Sequence, residues 1–221
     1  MRPPLEVRRL GVVPFADAVA LQQKLVVQRQ SNRIPDQLLL LEHPPVITLG
    51  VGASRDNVLA PAAALARRGV EVHEVRRGGD VTYHGPGQLV GYPILMLKPD
   101  RCDVHRYVRD LEETLIRTVA EFGVHAARVA GLTGVWVGDD KLAAIGVRLS
   151  RWVTSHGFAL NVTTDLDDFA LIRACGLAGR GVTSLKRLTG RDIPIGTVAR
   201  AVEGCVATVF ERDLVACGGQ L

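Results

Sequence analysis

The chain has 221 residues, a length that suits one domain with a substantial core. Apolar residues make up 47% of the sequence and charged residues 23%, which excludes a disordered or fibrous protein. The formal net charge of +4 is modest and dispersed, so it does not indicate nucleic-acid binding, but it favours an acidic protein partner through electrostatic steering.

Cysteine usage and hydropathy predict a cytoplasmic protein. The four cysteines form no Cys-x-x-Cys pair, and nothing before Phe15 resembles a signal peptide. The longest nearly uninterrupted apolar run, 89–97, contains Pro93 and is far shorter than the ~20 residues that a membrane helix needs, so no membrane association is predicted. Cys102 and His105 have metal-ligand spacing without a second ligand pair, and we therefore predict no metal site.

The first part of the chain alternates between helical and strand patterns. Helical spacing over 17–30 predicts a long helix, and two short aliphatic runs at 37–42 and 46–51 predict buried strands. His43, between these runs, is interpreted as a hydrogen-bonded structural histidine. Residues 60–68 predict a second helix, which Gly69 ends, and residues 70–75 predict a strand.

A stretch rich in glycine and proline follows at 77–93, with five glycines and two prolines. This composition predicts a preset loop with exposed backbone amides, although a tight hairpin between strands explains it equally well. Arg77 and His84 are the side chains best suited to an anionic or carbonyl-bearing ligand. The P-loop and dinucleotide-binding signatures are both absent, because no Lys-Ser/Thr pair follows and Val90 replaces the third glycine of the latter.

The second part predicts a strand over 89–97 and a helix from the Asp103 cap to about Phe122. Residues 135–137 and 141–149 then predict a hairpin, with Lys141 at the entrance of its second arm. A lysine there is either a solvated turn residue or a functional one. Small residues along this arm leave room for a ligand to lie across the strand. A strand at 156–162, a short helical segment at 165–172 and helices at 184–188 and 194–214 complete the prediction.

One cysteine has the surroundings of a nucleophile. Cys175 lies in the glycine-rich segment 173–181, between Arg173 and Arg180, and a positive environment favours the reactive thiolate. A nearby ammonium group would lower the pKa of this thiol further, although sequence spacing does not identify the lysine. Cys205, on the apolar side of the last helix, is predicted to be a buried, inert thiol.

Several ordered motifs resemble one family. The motif Arg77-Gly78-Gly79-x-x-Thr82-Tyr83-His84-x-x-Gly87-Gln88-x-Val90-x-Tyr92 resembles the signature of the lipoyl(octanoyl) transferases, or octanoyl-[acyl carrier protein]:protein N-octanoyltransferases. The segments 39–44, 141–146, 156–161 and 175–176 follow in family order. Ala174 stands where the family commonly has proline.

This resemblance implies a single α+β domain over 1–221, with mixed β-sheets flanked by helices, as in biotin and lipoate protein ligases. It implies that Cys175 forms an acyl-thioester and that Lys141 lowers its pKa and transfers protons. Backbone amides near Gly176 and in the Gly78-Gly79 turn are candidate oxyanion donors. The implied substrate-binding residues are Arg77, Gly78, Gly79, Asp80, Val81, Thr82, Tyr83, His84, Ala144, Ile145, Gly146, Gly157, Phe158 and Ala159.

The resemblance also implies the substrates. A monomeric enzyme without a cofactor would take an octanoyl group from octanoyl-acyl carrier protein and pass it to a lysine of a lipoyl domain. The implied acceptors are the lipoyl domains of 2-oxoacid dehydrogenase complexes and the glycine cleavage H protein. The alternatives are an ATP-dependent lipoate or biotin protein ligase, which needs no cysteine, and a non-catalytic module that binds carrier proteins.

Overall fold

The computed structural model describes residues 2–99, 101–173 and 180–216. In chain order the strands are β1 (Pro4–Val12), β2 (Asp36–Glu42), β3 (Val46–Leu49), β4 (Glu71–Glu74), β5 (Val81–His84), β6 (Gln88–Ile94), β7 (Ala127–Val129), β8 (Leu132–Val137), β9 (Asp140–Ser150), β10 (Val153–Asn161) and β11 (Asp213–Val215). The helices are α1 (Phe15–Gln30), α2 (Ala62–Arg67), α3 (Val104–Ala120), α4 (Leu185–Thr189) and α5 (Ile195–Phe210). Two short 3₁₀ helices lie at Arg55–Asn57 and Leu166–Leu171.

The strands form two mixed sheets. The large sheet has the order β11-β1-β2-β6-β10-β9-β8-β7, and the small sheet has the order β4-β3-β5. In the large sheet β1 runs parallel to β11 and β2, and the other pairs are antiparallel. In the small sheet β3 is parallel to β4 and antiparallel to β5. The α+β arrangement of mixed sheets flanked by helices is the one that the sequence predicts.

Helices cover both faces of the large sheet. Leu38 and Leu40 of β2 belong to one core cluster with residues of α3 and α5, whereas Leu39 and Leu41 belong to a second cluster with residues of α1. Successive side chains of a strand point to opposite faces, so an unbroken apolar run such as β2 fills both cores. This burial accounts for the aliphatic runs in the sequence.

Helix α3 forms where the sequence predicts it. The Asp103 carboxylate accepts hydrogen bonds from the backbone N–H groups of His105, at 2.8 Å, and Arg106, at 3.1 Å. Tyr107, Leu111 and other residues of the predicted apolar stripe are buried against the large sheet. Their spacing puts them on one side of the helix.

The two ends of the chain differ from the prediction. The last helix ends at Phe210 and does not continue to 214, because Glu211 adopts a left-handed conformation with φ of 55°. The chain then turns, and β11 pairs with β1 at the edge of the large sheet. Neither strand was predicted, since both carry charged or exposed residues in place of a buried apolar run.

The glycine-rich stretch 77–93 is not one loop. It contains β5 in the small sheet and β6 in the large sheet, joined by a turn at 85–87. The two strands do not form a hairpin: β5 pairs with β3, and β6 pairs with β2 and β10. The stretch therefore carries the chain from one sheet to the other. None of the helices in the described part of the chain is long and apolar enough to cross a membrane.

Candidate active site

A cleft of about 440 Å³ lies between the two sheets. Its walls come from β5 of the small sheet, from β6, β9 and β10 of the large sheet, and from the segment that leads into β5. Val90, Ile145 and Phe158 supply apolar lining, and Phe15 at the start of α1 also contributes. Pockets of this size are typical of small-molecule sites.

The cleft brings together most of the residues that the sequence analysis selected. The predicted residues that line it are Arg77, Gly79, Asp80, Val81, Thr82, His84, Lys141, Ala144, Ile145, Gly146, Gly157, Phe158 and Ala159. Two others lie elsewhere. Tyr83 is buried in the core below the small sheet, where its hydroxyl donates to Asp168 and its ring contacts Phe169. The Gly78 N–H donates to the Val147 carbonyl at 2.9 Å, so it is already engaged and is not a free oxyanion donor.

Lys141 begins the second arm of the β8–β9 hairpin, as predicted, and is half-buried at the cleft. Its backbone N–H donates to the Gly181 carbonyl, and its carbonyl accepts from the Thr183 N–H, both at 3.0 Å. Burial lowers the pKa of Lys141 below its ordinary value. Cys175 and the candidate donors near Gly176 lie outside the described residues. The backbone of residues 181–183, which follows the segment 174–179 that contains Cys175, runs directly beside Lys141.

The residue that precedes the segment 174–179 is also anchored by hydrogen bonds. The Arg173 N–H donates to the Asn57 carbonyl at 2.7 Å, and the Asn57 amide donates to the Asp80 carboxylate at 3.0 and 3.3 Å. Asp80 itself lines the cleft. One flank of the segment 174–179 is therefore linked to Asp80 of the cleft through Asn57, and the other flank pairs directly with Lys141.

Arg77 lies at the side of the cleft, hydrogen-bonded to the small sheet and close to Gly146 of the large sheet. Its guanidinium donates to the Thr48 carbonyl at 2.9 Å, the Thr48 hydroxyl at 2.8 Å and the Gly78 carbonyl at 3.1 Å. These acceptors are neutral, and the structure records no ion pair for Arg77 among the described residues. Burial lowers its pKa to about 10, which still leaves the side chain charged at neutral pH. Arg77 thus contributes a buried positive charge that anionic or carbonyl groups in the cleft would experience.

A chain of hydrogen bonds fixes the orientation of His84. Its Nδ1 lies 2.7 Å from the Gln88 Oε1, and the Gln88 Nε2 donates to the Asn161 Oδ1 at 2.9 Å. The Asn161 Nδ2 then donates to the Thr183 carbonyl at 3.0 Å. Because both amides are oriented by these bonds, the His84 Nδ1 carries the proton and its Nε2 is an acceptor. These hydrogen bonds link His84 to the segment 181–183, which pairs with Lys141.

Three buried histidines near the cleft are held neutral. Burial, with the nearby His43, lowers the pKa of His84 to about 3, and burial lowers the pKa of His156 to about 4. Burial also lowers the pKa of His43, whose ring nitrogens lie 2.6 Å from the Val13 carbonyl and 2.7 Å from the Tyr92 hydroxyl. His43 is therefore the hydrogen-bonded structural histidine that the sequence predicts.

Glycine at position 157 is required by close packing of β10 against β6. A Cβ atom built on Gly157 would overlap the Gly91 carbonyl oxygen and would lie 2.6 Å from the Pro93 Cδ. The Gly91 carbonyl belongs to the backbone of the large sheet, which cannot move without breaking the pairing of β6 with β10. The floor of the cleft therefore depends on this absence of a side chain.

We expect Gly157→Ala to lower the free energy of unfolding by about 1–3 kcal/mol, the usual range for overpacking a core. Urea unfolding monitored by circular dichroism measures this change. Gly204→Ala is the matched control: Gly204 lies within α5 with no neighbour near its Cβ position, so alanine should leave stability unchanged or raise it by up to ~1 kcal/mol. Equal effects of the two variants would contradict the packing argument.

Sequence reasoning did not select several polar residues of the cleft, among them Gln88, His156 and Asn161. Gln88 and Asn161 stand at the ends of buried strands, and such positions require hydrogen-bond partners. That requirement was the signal in the sequence that could have identified these two residues. His156 adopts a left-handed conformation with φ of 53°, and its N–H donates to the Gln22 Oε1 at 2.7 Å. Nothing in the local sequence indicates this conformation.

Comparison with solved structures establishes the fold. The structure of an archaeal bi-partite lipoate protein ligase and its E2 lipoyl domain, from Thermoplasma acidophilum, matches with a TM-score of 0.76 and 17% identity, covering 98% of this chain and 86% of that one. The biotin protein ligase from Aquifex aeolicus in complex with biotin and ATP matches with a TM-score of 0.56 and 13% identity, covering 93% and 70% of the two chains. The predicted ligase-like fold is thus confirmed.

Comparison with sequences establishes the family. An octanoyltransferase of Acidobacterium capsulatum is 58% identical over 211 residues, which cover 90% of this chain and 85% of the relative. An octanoyltransferase of Myxococcus xanthus is 50% identical over 217 residues, which cover 96% of this chain but only 61% of that longer relative. The family model for the lipoyl protein ligase A/B catalytic domain matches residues 14–207. The chain belongs to this family and, within it, to the octanoyltransferases.

Proposed function

We propose that this octanoyltransferase takes the octanoyl group from octanoyl-acyl carrier protein, holds it as a thioester on Cys175, and passes it to a lysine of a lipoyl domain. The placement of Lys141 carries this proposal. A half-buried lysine faces an apolar cleft, and its backbone pairs with the chain that follows the cysteine segment. A nucleophile beside a group that can exchange protons is the usual arrangement for covalent acyl transfer.

The first half-reaction loads the enzyme. The Cys175 thiolate attacks the octanoyl carbonyl carbon, a new C–S bond forms, and the C–S bond to the carrier breaks. The protonated Lys141 stabilises the thiolate beforehand and then gives its proton to the departing carrier thiolate. The positive charge of Arg77, held at the side of the cleft by its bond to Thr48, favours the negative charge that develops on the carbonyl oxygen.

The second half-reaction transfers the acyl group. The neutral ε-amine of the acceptor lysine attacks the thioester carbon, an amide bond forms, and Cys175 leaves as a thiolate. The neutral Lys141 accepts the proton that the attacking amine loses, and the starting state returns. Burial suits Lys141 for this exchange, because it lowers the free-energy difference between ammonium and amine.

The octanoyl chain would occupy the apolar part of the cleft, lined by Ala144 to Gly146 and Gly157 to Ala159. About six buried methylenes at ~0.8 kcal/mol each would contribute roughly 5 kcal/mol of gross binding. Asp80, Val81, Thr82 and His84 would line the remaining wall, while Gly78 and Tyr83 would support it from outside the cleft.

We also propose the acceptor proteins, the domain organisation and the oligomeric state. The relative from Thermoplasma acidophilum has an E2 lipoyl domain as its partner, which supports lipoyl domains of 2-oxoacid dehydrogenase complexes as acceptors here, together with the glycine cleavage H protein. We propose one catalytic domain over 1–221 that works as a monomer in the cytoplasm. The burial of the apolar faces of α3 and α5 on the large sheet supports the monomer.

Mass spectrometry of the loaded enzyme tests the proposal. After incubation with octanoyl-acyl carrier protein and no ATP, we expect wild-type protein to gain one octanoyl group on Cys175, and Cys175→Ala to gain none. Addition of a lipoyl domain should discharge the adduct. Transfer that requires ATP would instead identify a ligase, and binding of the carrier without any transfer would identify a binding module.

A further inference from the structure

The ammonium group of Lys141 lies over an aromatic ring. Its Nζ is 4.7 Å from the ring centroid of Trp136, and the two residues are cross-strand partners on β9 and β8. Trp136 is only 1% exposed, so the ring is fixed in the core. The guanidinium of Arg180 lies 5.4 Å from the same centroid. One indole ring thus contacts both cations at this end of the cleft.

Among the described residues, the Trp136 ring is the group that contacts the Lys141 ammonium. Within residues 2–99, 101–173 and 180–216, no ion pair or hydrogen bond of the Lys141 Nζ is recorded. The neighbouring Asp139 pairs with Arg180 at 3.1 Å. The aliphatic part of the side chain passes beside Gly134, where a Cβ atom would lie 3.5 Å from the Lys141 Cε. The lysine side chain therefore has a defined path between Gly134 and the indole.

We propose that Trp136 is a positioning residue that holds the ammonium group of Lys141 at the cleft and stabilises its protonated form. The inference rests on the role proposed above for Lys141 in proton transfer. An aromatic face attracts a cation through its quadrupole, most strongly for tryptophan and most strongly when the cation is shielded from water. The contact restrains the ammonium without a carboxylate, which would hold the proton too firmly for exchange.

The contact with Trp136 and the burial of Lys141 have opposite effects on the pKa of this lysine. Burial favours the neutral amine of Lys141, whereas the indole face favours the ammonium. Without the ring, the pKa of Lys141 should fall further, and less of the protonated form would be present to stabilise a thiolate. A ring that only filled space would not change this protonation equilibrium.

Titration of Lys141 by NMR tests the proposal directly. The chain has only four lysines, so ¹³C-dimethylation gives four lysine signals beside that of the N-terminal amine, and Lys→Arg variants can assign them. In the wild type we expect the Lys141 methyl signals to be shifted upfield by the indole ring current relative to those of Lys24 and Lys98. Unshifted signals would overturn the proposal, and this measurement needs no core variant to fold.

Two variants and a matched control complete the test. We expect Trp136→Leu to lower the Lys141 pKa by about 0.5–1.5 units and Trp136→Phe to lower it less, since a cation–π contact is worth ~0.5–2 kcal/mol. Phe210→Leu removes a ring of the core that lies outside the cleft and should leave the Lys141 pKa unchanged. An unchanged pKa in Trp136→Leu, or an equal fall in Phe210→Leu, would overturn the proposal.

Activity gives a second readout. In Trp136→Leu the pH profile of single-turnover transfer to a lipoyl domain should change: its acid limb should move to lower pH together with the Lys141 pKa. The KM for the acyl carrier protein should stay unchanged. A fall in rate without this movement would indicate a purely structural role and would overturn the proposal. Acylation of Cys175 is measured separately, so failure of the proposed function and failure of this inference are distinguishable.

Discussion

Replacement of Lys141 by alanine is expected to slow octanoyl transfer by about 10²–10⁴-fold, the usual contribution of a positioned acid–base group. The pKa of the Cys175 thiol should rise, because the variant lacks the ammonium that favours the thiolate. Single-turnover transfer to a lipoyl domain measures the first effect. The rate of alkylation by iodoacetamide as a function of pH measures the second.

Arginine at the same position separates the two roles of the lysine. Lys141→Arg keeps a permanent positive charge but cannot act as a proton acceptor. We expect alkylation of its thiol to stay near the wild-type pH profile while discharge of the acyl-enzyme by the amine remains slow. Lys24→Ala is the control, because Lys24 is exposed on α1 away from the cleft. An unchanged alkylation profile in Lys141→Ala would show that the lysine and the thiol are not coupled.

Local signals in the sequence predicted the elements that position Lys141. The turn before β9, the Asp103 cap of α3 and the aliphatic run of β2 are each decided by neighbouring residues. The nucleophile was selected from charge and glycine content, and the family resemblance supplied its pairing with Lys141. That pairing stays a prediction, since Cys175 is not among the described residues.

Long-range pairing decided what the sequence did not predict. The sequence predicts a strand at 89–97, where β6 lies, but it does not predict β5, which forms because residues 81–84 pair with β3. The role of Gln88 likewise depends on Asn161, 73 positions later. The edge pair β1 and β11 lacks a buried apolar pattern, and only the tertiary pairing identifies it. Short-range propensity carries none of this information.

The neutral histidines of the cleft predict a loss of stability in mild acid. In the unfolded chain a histidine takes up a proton near pH 6.5, whereas His84 and His156 stay neutral in the folded protein down to about pH 3 and about pH 4. Between these values the unfolded state binds more protons, so stability falls as the pH falls. At ~1.4 kcal/mol per pH unit below 6.5, the two histidines together should cost about 4 kcal/mol between pH 7 and pH 5.

Burial also lowers the pKa of His43, which adds to this loss, whereas two carboxyl groups with shifted pKa values do not. Hydrogen bonds from Arg128 and Arg117 lower the pKa of Glu113, so its contribution is lost only at more acidic pH. Burial raises the pKa of Asp110, which acts in the opposite direction. Urea unfolding at pH 7, 6 and 5 should show the loss, and His84→Gln should reduce its slope by up to about half. The absolute stability of this variant is not the readout, because Gln88 loses its donor.

The same titration bears on the chemistry of His84. A histidine that stays neutral at pH 5, with its proton on Nδ1 toward Gln88, presents only an acceptor at Nε2 and cannot donate a proton to a leaving group at neutral pH. We therefore expect no His84 limb in the pH profile of transfer between pH 6 and 8. NMR titration of the His84 and His156 rings should show no protonation above pH 5. A His84 ring that titrates near pH 6.5 would contradict both the stability prediction and the assignment of proton transfer to Lys141 alone.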